Sequence, residues 1–386
     1  MEQIELNKDV LFRLIGESHL PLSKEIYQSP TYWRSRVQDV DYKKFISAIK
    51  RNNIQYVRYV LLEHLIDPST NNNKAITWAV CNGYIEIVRL LLADERVDPS
   101  INSNYAIESA ASNGRTEIVK LLLEDKRVDP SDNSNVAIIR ATSNGFIKII
   151  RLLLEDERVD PSVNNNEAIR EASRRGHDKV VKLLLADKRV DPSINGNEAV
   201  KWASRLGKIE VVRLLLEDKR VDPSADNNYA IRFATFNDYV EIVRLLLKDK
   251  RVDPSINNNY ASTWASRSGH TEIVRLLLAD ERVDPSNNNN NIAIRAAASN
   301  GHVEIVKLLL EDKRVDPSAY NNEAIRFALR KGHTEIVRLL LKDERVDPSA
   351  DNNYAIREAS NNNHTEVVRL LLADERVDLT LFTKNY

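Results

Sequence analysis

Residues 191 to 221 read DPSINGNEAVKWASRLGKIEVVRLLLEDKRV, and ten copies of this pattern fill most of the chain. The copies open at Asp67, Asp98, Asp129, Asp160, Asp191, Asp222, Asp253, Asp284, Asp316 and Asp347. Their spacing is 31 residues, lengthened to 32 once by an additional Asn in the run from Asn287 to Asn291. Repetition at this period marks modules stacked side by side, since each is too small to bury its own apolar face. Numbering every repeat from its Asp makes constant and changeable positions directly comparable.

Positions 7 to 16 read as a short first helix. Its opening Asn, for example Asn73, Asn104, Asn197 or Asn228, is expected to cap the free amides of the first turn. Ala at positions 9 and 13, as in Ala199 and Ala203, recurs one turn apart and lets a neighbouring backbone come close. Position 17 is Gly in eight copies and Asp238 or Asn363 in the others, the residue types that accept a left-handed backbone, so a turn with positive φ is predicted. A second helix follows, with apolar residues at positions 21, 22, 24, 25 and 26. In repeat 7 these are Ile273, Val274, Leu276, Leu277 and Leu278, a pattern wide enough to be buried on two sides. The Asp-Pro of the next repeat bars further helix, which makes Pro-Ser-x-Asn-Asn the connecting loop. So few apolar side chains cannot offset the entropy of ordering a whole repeat, and stability must come from stacking.

The segment AASNGHVEIVKLLL at Ala297 to Leu310 resembles the ankyrin repeat, and the likeness covers nearly all of the chain after residue 66. Two features depart from that family. Its Thr-Pro-Leu-His opening is replaced by Tyr354, Ala355, Ile356 and Arg357, and the unit is two residues short, which implies stubbier projecting loops. The resemblance implies an all-α, ankyrin-type α-solenoid of stacked helix-turn-helix units with short connecting loops, and a role in protein–protein interaction. The variant Arg-Val-Asp-Pro-Ser-x-Asn-Asn-Asn is similar to ankyrin proteins of giant DNA viruses of amoebae, the mimivirus type, which would place the protein in a host cytoplasm.

On this reading the solenoid spans 41–386. Asp41 to Ile66 form a degenerate repeat, with Ala48 at position 13, Asn52 at position 17 and Arg58 at position 23, so eleven helix pairs are expected. Residues 1–40 carry Val10, Leu11, Phe12, Leu14 and Ile15 at helical spacing, then Tyr32 and Trp33. They read as an N-terminal helical cap for the first repeat. The alternative is an F-box-like element that recruits a ubiquitin ligase. At the other end Leu379, Leu381 and Phe382 are expected to fold over the last helix.

Lys plus Arg total 56 against 57 Asp plus Glu, a net charge of -1, which gives no electrostatic case for nucleic acid or an anionic membrane. No signal peptide or membrane span is expected, and the single Cys81 suits a reducing, cytoplasmic setting. A monomer is expected. Five His at position 18 (His177, His270, His302, His333, His364) belong to separate repeats and cannot converge on a metal, so hydrogen bonding at the turn is expected instead. The run Asp191 to Asn197 fails as a calcium loop because Trp202 stands where a bidentate Glu is required. Asp at position 28 and Arg at position 30 predict a ladder of charge contacts between repeats. No catalytic constellation or cofactor motif is found, which argues against an enzyme.

Positions 8, 12, 15 and 16 share one face of the first helix and vary from copy to copy. In the middle repeats they become aromatic and basic: Trp202, Arg205, Tyr229, Phe233, Phe236, Tyr260, Trp264 and Arg267. Such side chains dominate binding hot spots, so a protein partner is expected on the concave face. Position 12 has a second reading, as mere packing between helices, because Trp78 and Phe327 occupy it too. A nucleic-acid groove is the poorer reading, since Glu167, Glu171 and Glu198 interrupt Arg170, Arg174 and Arg175.

Overall fold

The computed structural model describes residues 40–286 and 290–377. The expected N-terminal cap, the F-box-like alternative and the fold-back of Leu379, Leu381 and Phe382 lie outside the described residues. The chain divides into two blocks, Met1–Asp160 and Pro161–Tyr386. Among the described residues the first block holds eight helices and the second fourteen, in pairs, with no strand. Within each block, first helices pack on the first helices of adjacent repeats and second helices on second helices.

Ala at positions 9 and 13 makes that packing close: Ala199 and Ala203 are 1% and 0% exposed, and their counterparts in all other full repeats are buried as well. In the second helix only positions 21, 22 and 25 are fully buried, as with Ile273, Val274 and Leu277, while Leu276 and Leu278 are half-buried. The five-residue buried pattern expected from sequence is therefore narrower. Val at position 31, such as Val252 and Val283, completes the core from beyond the helix.

The Asn-rich loop has a conformation of its own. Positions 5 to 7 are three consecutive left-handed residues, for example Asn71, Asn72 and Asn73 with φ of 56°, 56° and 53°, and Asn257, Asn258 and Asn259 with φ of 53°, 57° and 56°. An L-residue pays roughly 1–2 kcal/mol for this region, and Asn is among the types that visit it most readily, which explains the composition of the run.

Position 7 corrects the sequence reading. Being left-handed, its Asn lies ahead of the helix and does not cap it. The buried side chain instead reaches the next repeat: Asn73 Oδ1 accepts the Asp98 amide at 2.9 Å, Asn104 that of Asp129 at 2.8 Å, and Asn228 that of Asp253 at 2.8 Å. Repeat 8, despite its additional residue, keeps the bond, with Asn291 Oδ1 accepting from Asp316 at 2.8 Å. True side-chain caps occur in the degenerate repeat, where Asp41 accepts from the Lys44 amide and Asn53 from that of Tyr56.

The charged turn is also corrected. Arg at position 30 pairs with Asp at position 28 of its own repeat, as in Arg220–Asp218 at 2.6 Å, and not with a neighbour's carboxylate. The link between repeats is a hydrogen bond to backbone: Arg220 Nη1 donates to the Val190 carbonyl at 2.7 Å and Arg127 Nη1 to that of Val97 at 2.7 Å. Hydrogen bonds from Arg220 hold the Asp218 carboxyl below its ordinary range.

Position 17 is left-handed as predicted, with φ of 83° at Gly301, 60° at Asp238 and 57° at Asn363; Asn52 of the degenerate repeat follows suit at 53°. A second constraint acts there. Position 18 of the following repeat lies over the glycine, and a Cβ on Gly269 would meet the His302 ring at 2.7 Å. The His ring is fixed by its own bond: His302 Nε2 lies 2.9 Å from the Arg267 carbonyl and His364 Nε2 3.1 Å from that of Arg330. These His residues are thus structural, in line with the sequence reading.

Candidate functional site

Three neighbouring first helices of the second block, Ile194–Arg205, Ala225–Phe236 and Ile256–Ser268, carry the eight residues singled out from sequence. Positions 8, 12 and 15 project from one face because they are spaced four and three residues apart on a helix. The structure joins seven of the eight into a continuous ladder. Arg205 lies over the Trp202 ring at 5.2 Å and the Phe233 ring at 4.8 Å, and donates to the Tyr229 hydroxyl at 2.8 Å. Tyr229 stacks on Phe233 at 4.1 Å, Phe233 is tilted to Phe236 at 6.3 Å, and Phe236 stacks on Trp264 at 4.8 Å, which in turn stacks on Tyr260 at 6.1 Å.

Arg267, the eighth, stands at the end of the row. It is exposed, and its guanidinium makes no hydrogen bond or ion pair among the described residues. It borders an open cleft of about 330 Å³ that is also lined by Ile292, Arg295, Ala296, Asn300 and Phe327. The cleft exists because repeat 8 places Ala296 at position 12, where its neighbours have Trp264 and Phe327.

Both readings of position 12 describe part of what is seen. Trp202, Phe233 and Trp264 are half-buried, packed by the neighbouring side chains yet open on one side, whereas Phe236 is 45% and Tyr260 40% exposed. Position 16 contributes no ring to the ladder; it is occupied by Leu206, Asn237 and Ser268.

Position 11 was missed. Lys201 lies 5.6 Å over the Tyr229 ring, Arg232 5.8 Å over that of Tyr260 and Arg326 4.4 Å over that of Tyr354, so position 11 of one repeat meets position 8 of the next. The signal was available, because on a helix positions 11, 15, 8 and 12 are adjacent in angle. Tyr320 was missed as well. It occupies the left-handed run at φ 55°, is 58% exposed, and lies under Arg295 with its hydroxyl on Asn290.

The acidic residues of this face are mostly neutralised where they stand. Glu198 accepts from Arg170 at 2.7 Å and from Trp202 Nε1 at 3.0 Å. Burial pushes its pKa up, but hydrogen bonds from Arg170, Trp202 and Asn195 more than reverse this and hold it below the ordinary range. Glu171 pairs with Arg174 at 2.8 Å and Arg175 at 3.3 Å. Asp191, of the rejected calcium loop, spends one carboxylate oxygen on the Ser193 amide and hydroxyl. Among the described residues no group of three or more His, Cys, Asp or Glu is placed to hold a metal ion. No described helix is long and apolar enough to cross a membrane.

Helix pairs joined by left-handed turns, stacked first on first and second on second, with a changeable face on the first helices, define an α-solenoid repeat protein. The family model for ankyrin repeats in three copies matches residues 95–167, 168–259, 231–321 and 315–383, and the single ankyrin-repeat model matches 71–104. The chain therefore belongs to the ankyrin-repeat family, whose members generally mediate protein–protein interaction. A comparison with curated proteins finds no match.

Proposed function

We propose that this chain is a non-enzymatic interaction scaffold that binds a protein partner through the concave, first-helix face of repeats 5 to 7. One observation carries the reading: seven variable residues from three repeats form a single stacked ladder, partly open to solvent, on a frame that is otherwise uniform. Aromatic and Arg side chains held in place lose little conformational freedom when covered, which favours affinity. Tyr260→Ala and Trp264→Ala together test it. Partner capture from a cell lysate should fall while helicity is kept; unchanged capture would remove this patch from consideration. The scaffold is proposed to act as a monomer in the cytoplasm, of a host cell if the giant-virus likeness of its Asn-rich loops reflects its source.

A second reading makes the chain an adaptor that brings its partner to a ubiquitin ligase through residues 1–40, on the strength of the apolar spacing from Val10 to Ile15 and the terminal Tyr32-Trp33-Arg34. Co-purification of ligase subunits that survives removal of residues 1–40 would count against it.

A further inference from the structure

We infer that the partner segment seated on repeats 5 to 7 is an acidic peptide in an extended conformation, with carboxylates spaced three residues apart; this rests on the interaction surface proposed above. The argument begins with unbalanced charge. Along the first-helix face most Arg residues already have a carboxylate: Arg170 has Glu198, Arg174 has Glu171, Arg295 has Glu323, Arg326 has Asp351 and Arg330 has Glu358. In repeats 5 to 7 this stops. Arg205 bonds to the Tyr229 hydroxyl and lies over rings, Arg232 bonds to the Asn227 carbonyl, and the Arg267 guanidinium bonds to nothing among the described residues. None of the three has a carboxylate among the described residues. Guanidinium groups beside an aromatic row, Arg205 over two rings, Arg232 over one and Arg267 exposed at its end, with no anion of their own, are a ready-made receptor for carboxylates, because the charge-assisted bond is the strong one still to be formed.

Spacing selects the form of the ligand. The three cations come from consecutive repeats, Arg205 and Arg267 from position 15 and Arg232 from position 11, one turn aside on the same face, and packed helices are separated by roughly 8–10 Å. A polyproline-II segment turns once every three residues and advances about 9 Å per turn, so residues i, i+3 and i+6 face one way at that interval. Residues between them would lie along the rings of Phe233, Phe236 and Trp264, and one apolar side chain would enter the cleft floored by Ile292, Ala296 and Phe327. A nucleic-acid strand fits less well. Three cations supply a weak counterion term, the net charge of -1 gives no long-range attraction, and the face carries Glu198 and Asp226 as well.

The test uses the full chain and a fluorescent peptide of roughly 12 residues with Glu at every third position and Pro and Leu between. Comparators are the same peptide with Gln for Glu, one with its Glu residues clustered, and an oligothymidine of similar length. The regular Glu peptide should bind, the Gln form at least about tenfold more weakly, and Arg267→Gln should weaken the Glu peptide by about five- to tenfold. Arg267→Glu should reverse the preference towards a Lys peptide, and Arg267→Lys should keep most of the affinity; thermal melts confirm that each variant is folded. Equal binding of Glu and Gln peptides, no effect of Arg267→Gln and Arg205→Gln, or tighter binding of the oligothymidine would overturn the inference. Equal binding of the clustered peptide would overturn the three-residue spacing. If Tyr260→Ala with Trp264→Ala abolishes capture from lysate while no acidic peptide binds, the inference about charge falls and the surface stands; unchanged capture removes both.

Discussion

At position 12 the first block carries Trp78, Ser109 and Arg140, whereas repeats 5 to 7 of the second carry Trp202, Phe233 and Trp264. The frame beneath is the same in both. Asn73 and Asn104 hold the next repeat's amide just as Asn197 and Asn228 do, at 2.7–2.9 Å, and position 30 grips the previous carbonyl in each. The faces differ in kind. In the first block Trp78 lies under Lys50 at 4.6 Å, Ser109 Oγ is 3.0 Å from Cys81 Sγ, and Arg140 is 3.7 Å from Glu108, so its side chains answer one another locally. In repeats 5 to 7 they stack into a row whose charges are left over. One frame thus supports two unrelated surfaces, and recognition can change without any change in what holds the repeats together.

The largest expected effects test the sameness of the frame. Asn228→Ala leaves the half-buried Asp253 amide without its acceptor and removes the residue type suited to a left-handed backbone, at a cost of about 2–3 kcal/mol. Asn73→Ala in the first block, where the side chain makes the same single bond to the next repeat, should cost the same in urea unfolding; a difference above about 1 kcal/mol would mean that the two frames are not equivalent. Next comes the contrast of faces. Trp264→Ala should weaken partner binding by about 2 kcal/mol, while Trp78→Ala should leave it unaltered, both read by titration with the captured partner.

Gly269→Ala should destabilise by about 1–2 kcal/mol, because its φ of 85° strains any side chain and the new Cβ would strike His302. A thermal melt checks this. Acid should then weaken both blocks alike. Asp94 and Asp125 in the first and Asp218 and Asp249 in the second are held low, chiefly by hydrogen bonds from the Arg two residues on. Their contribution is fully present above the unfolded carboxylate value of about 4 and is lost as pH falls through the lower folded value, with at most about 1 kcal/mol for each partly exposed pair. Melting temperature should therefore drop between about pH 5 and 2 by similar amounts in fragments or probes reporting on either block. The smallest effect is a gain: Ser204 Oγ is buried without a partner among the described residues, and Ser204→Ala, which restores what Ala111 provides in the first block, should stabilise by a few tenths to about 1 kcal/mol.

Much of the frame was legible in sequence, for reasons that are local. Gly, Asp and Asn alternate at position 17 because all three accept a left-handed backbone, and Ala recurs at positions 9 and 13 because one helical turn separates them. Roles that span repeats were not. Asn228 answers an amide 25 residues on, and nothing in its own neighbourhood announces that, so the commoner helix-cap role was the natural expectation. The charged pair typified by Asp218 and Arg220 was misread in the opposite direction, since constant charges near a repeat boundary suggest a bridge across it, whereas a two-residue turn brings them together first. The aromatic members of the ladder were recognised by type, but position 11 was overlooked because Arg232 and Lys201 meet rings on the following repeat and none on their own.

The bond from each position-7 Asn to the following Asp amide has a bearing on how such a chain can lengthen. Donor and acceptor lie 25 residues apart, and the same two atoms are offered again by every copy. Within repeats 1 to 7, where the period is 31 throughout, duplicating any 31 consecutive residues therefore regenerates a complete set of joints, and deleting them closes the gap with the joints still matched. Repeat 8 shows the tolerance of this arrangement, for its additional residue precedes Asn291 and the link to Asp316 is unaltered. The array is free to grow or shrink by whole modules, and each new module arrives with its outward side chains uncommitted.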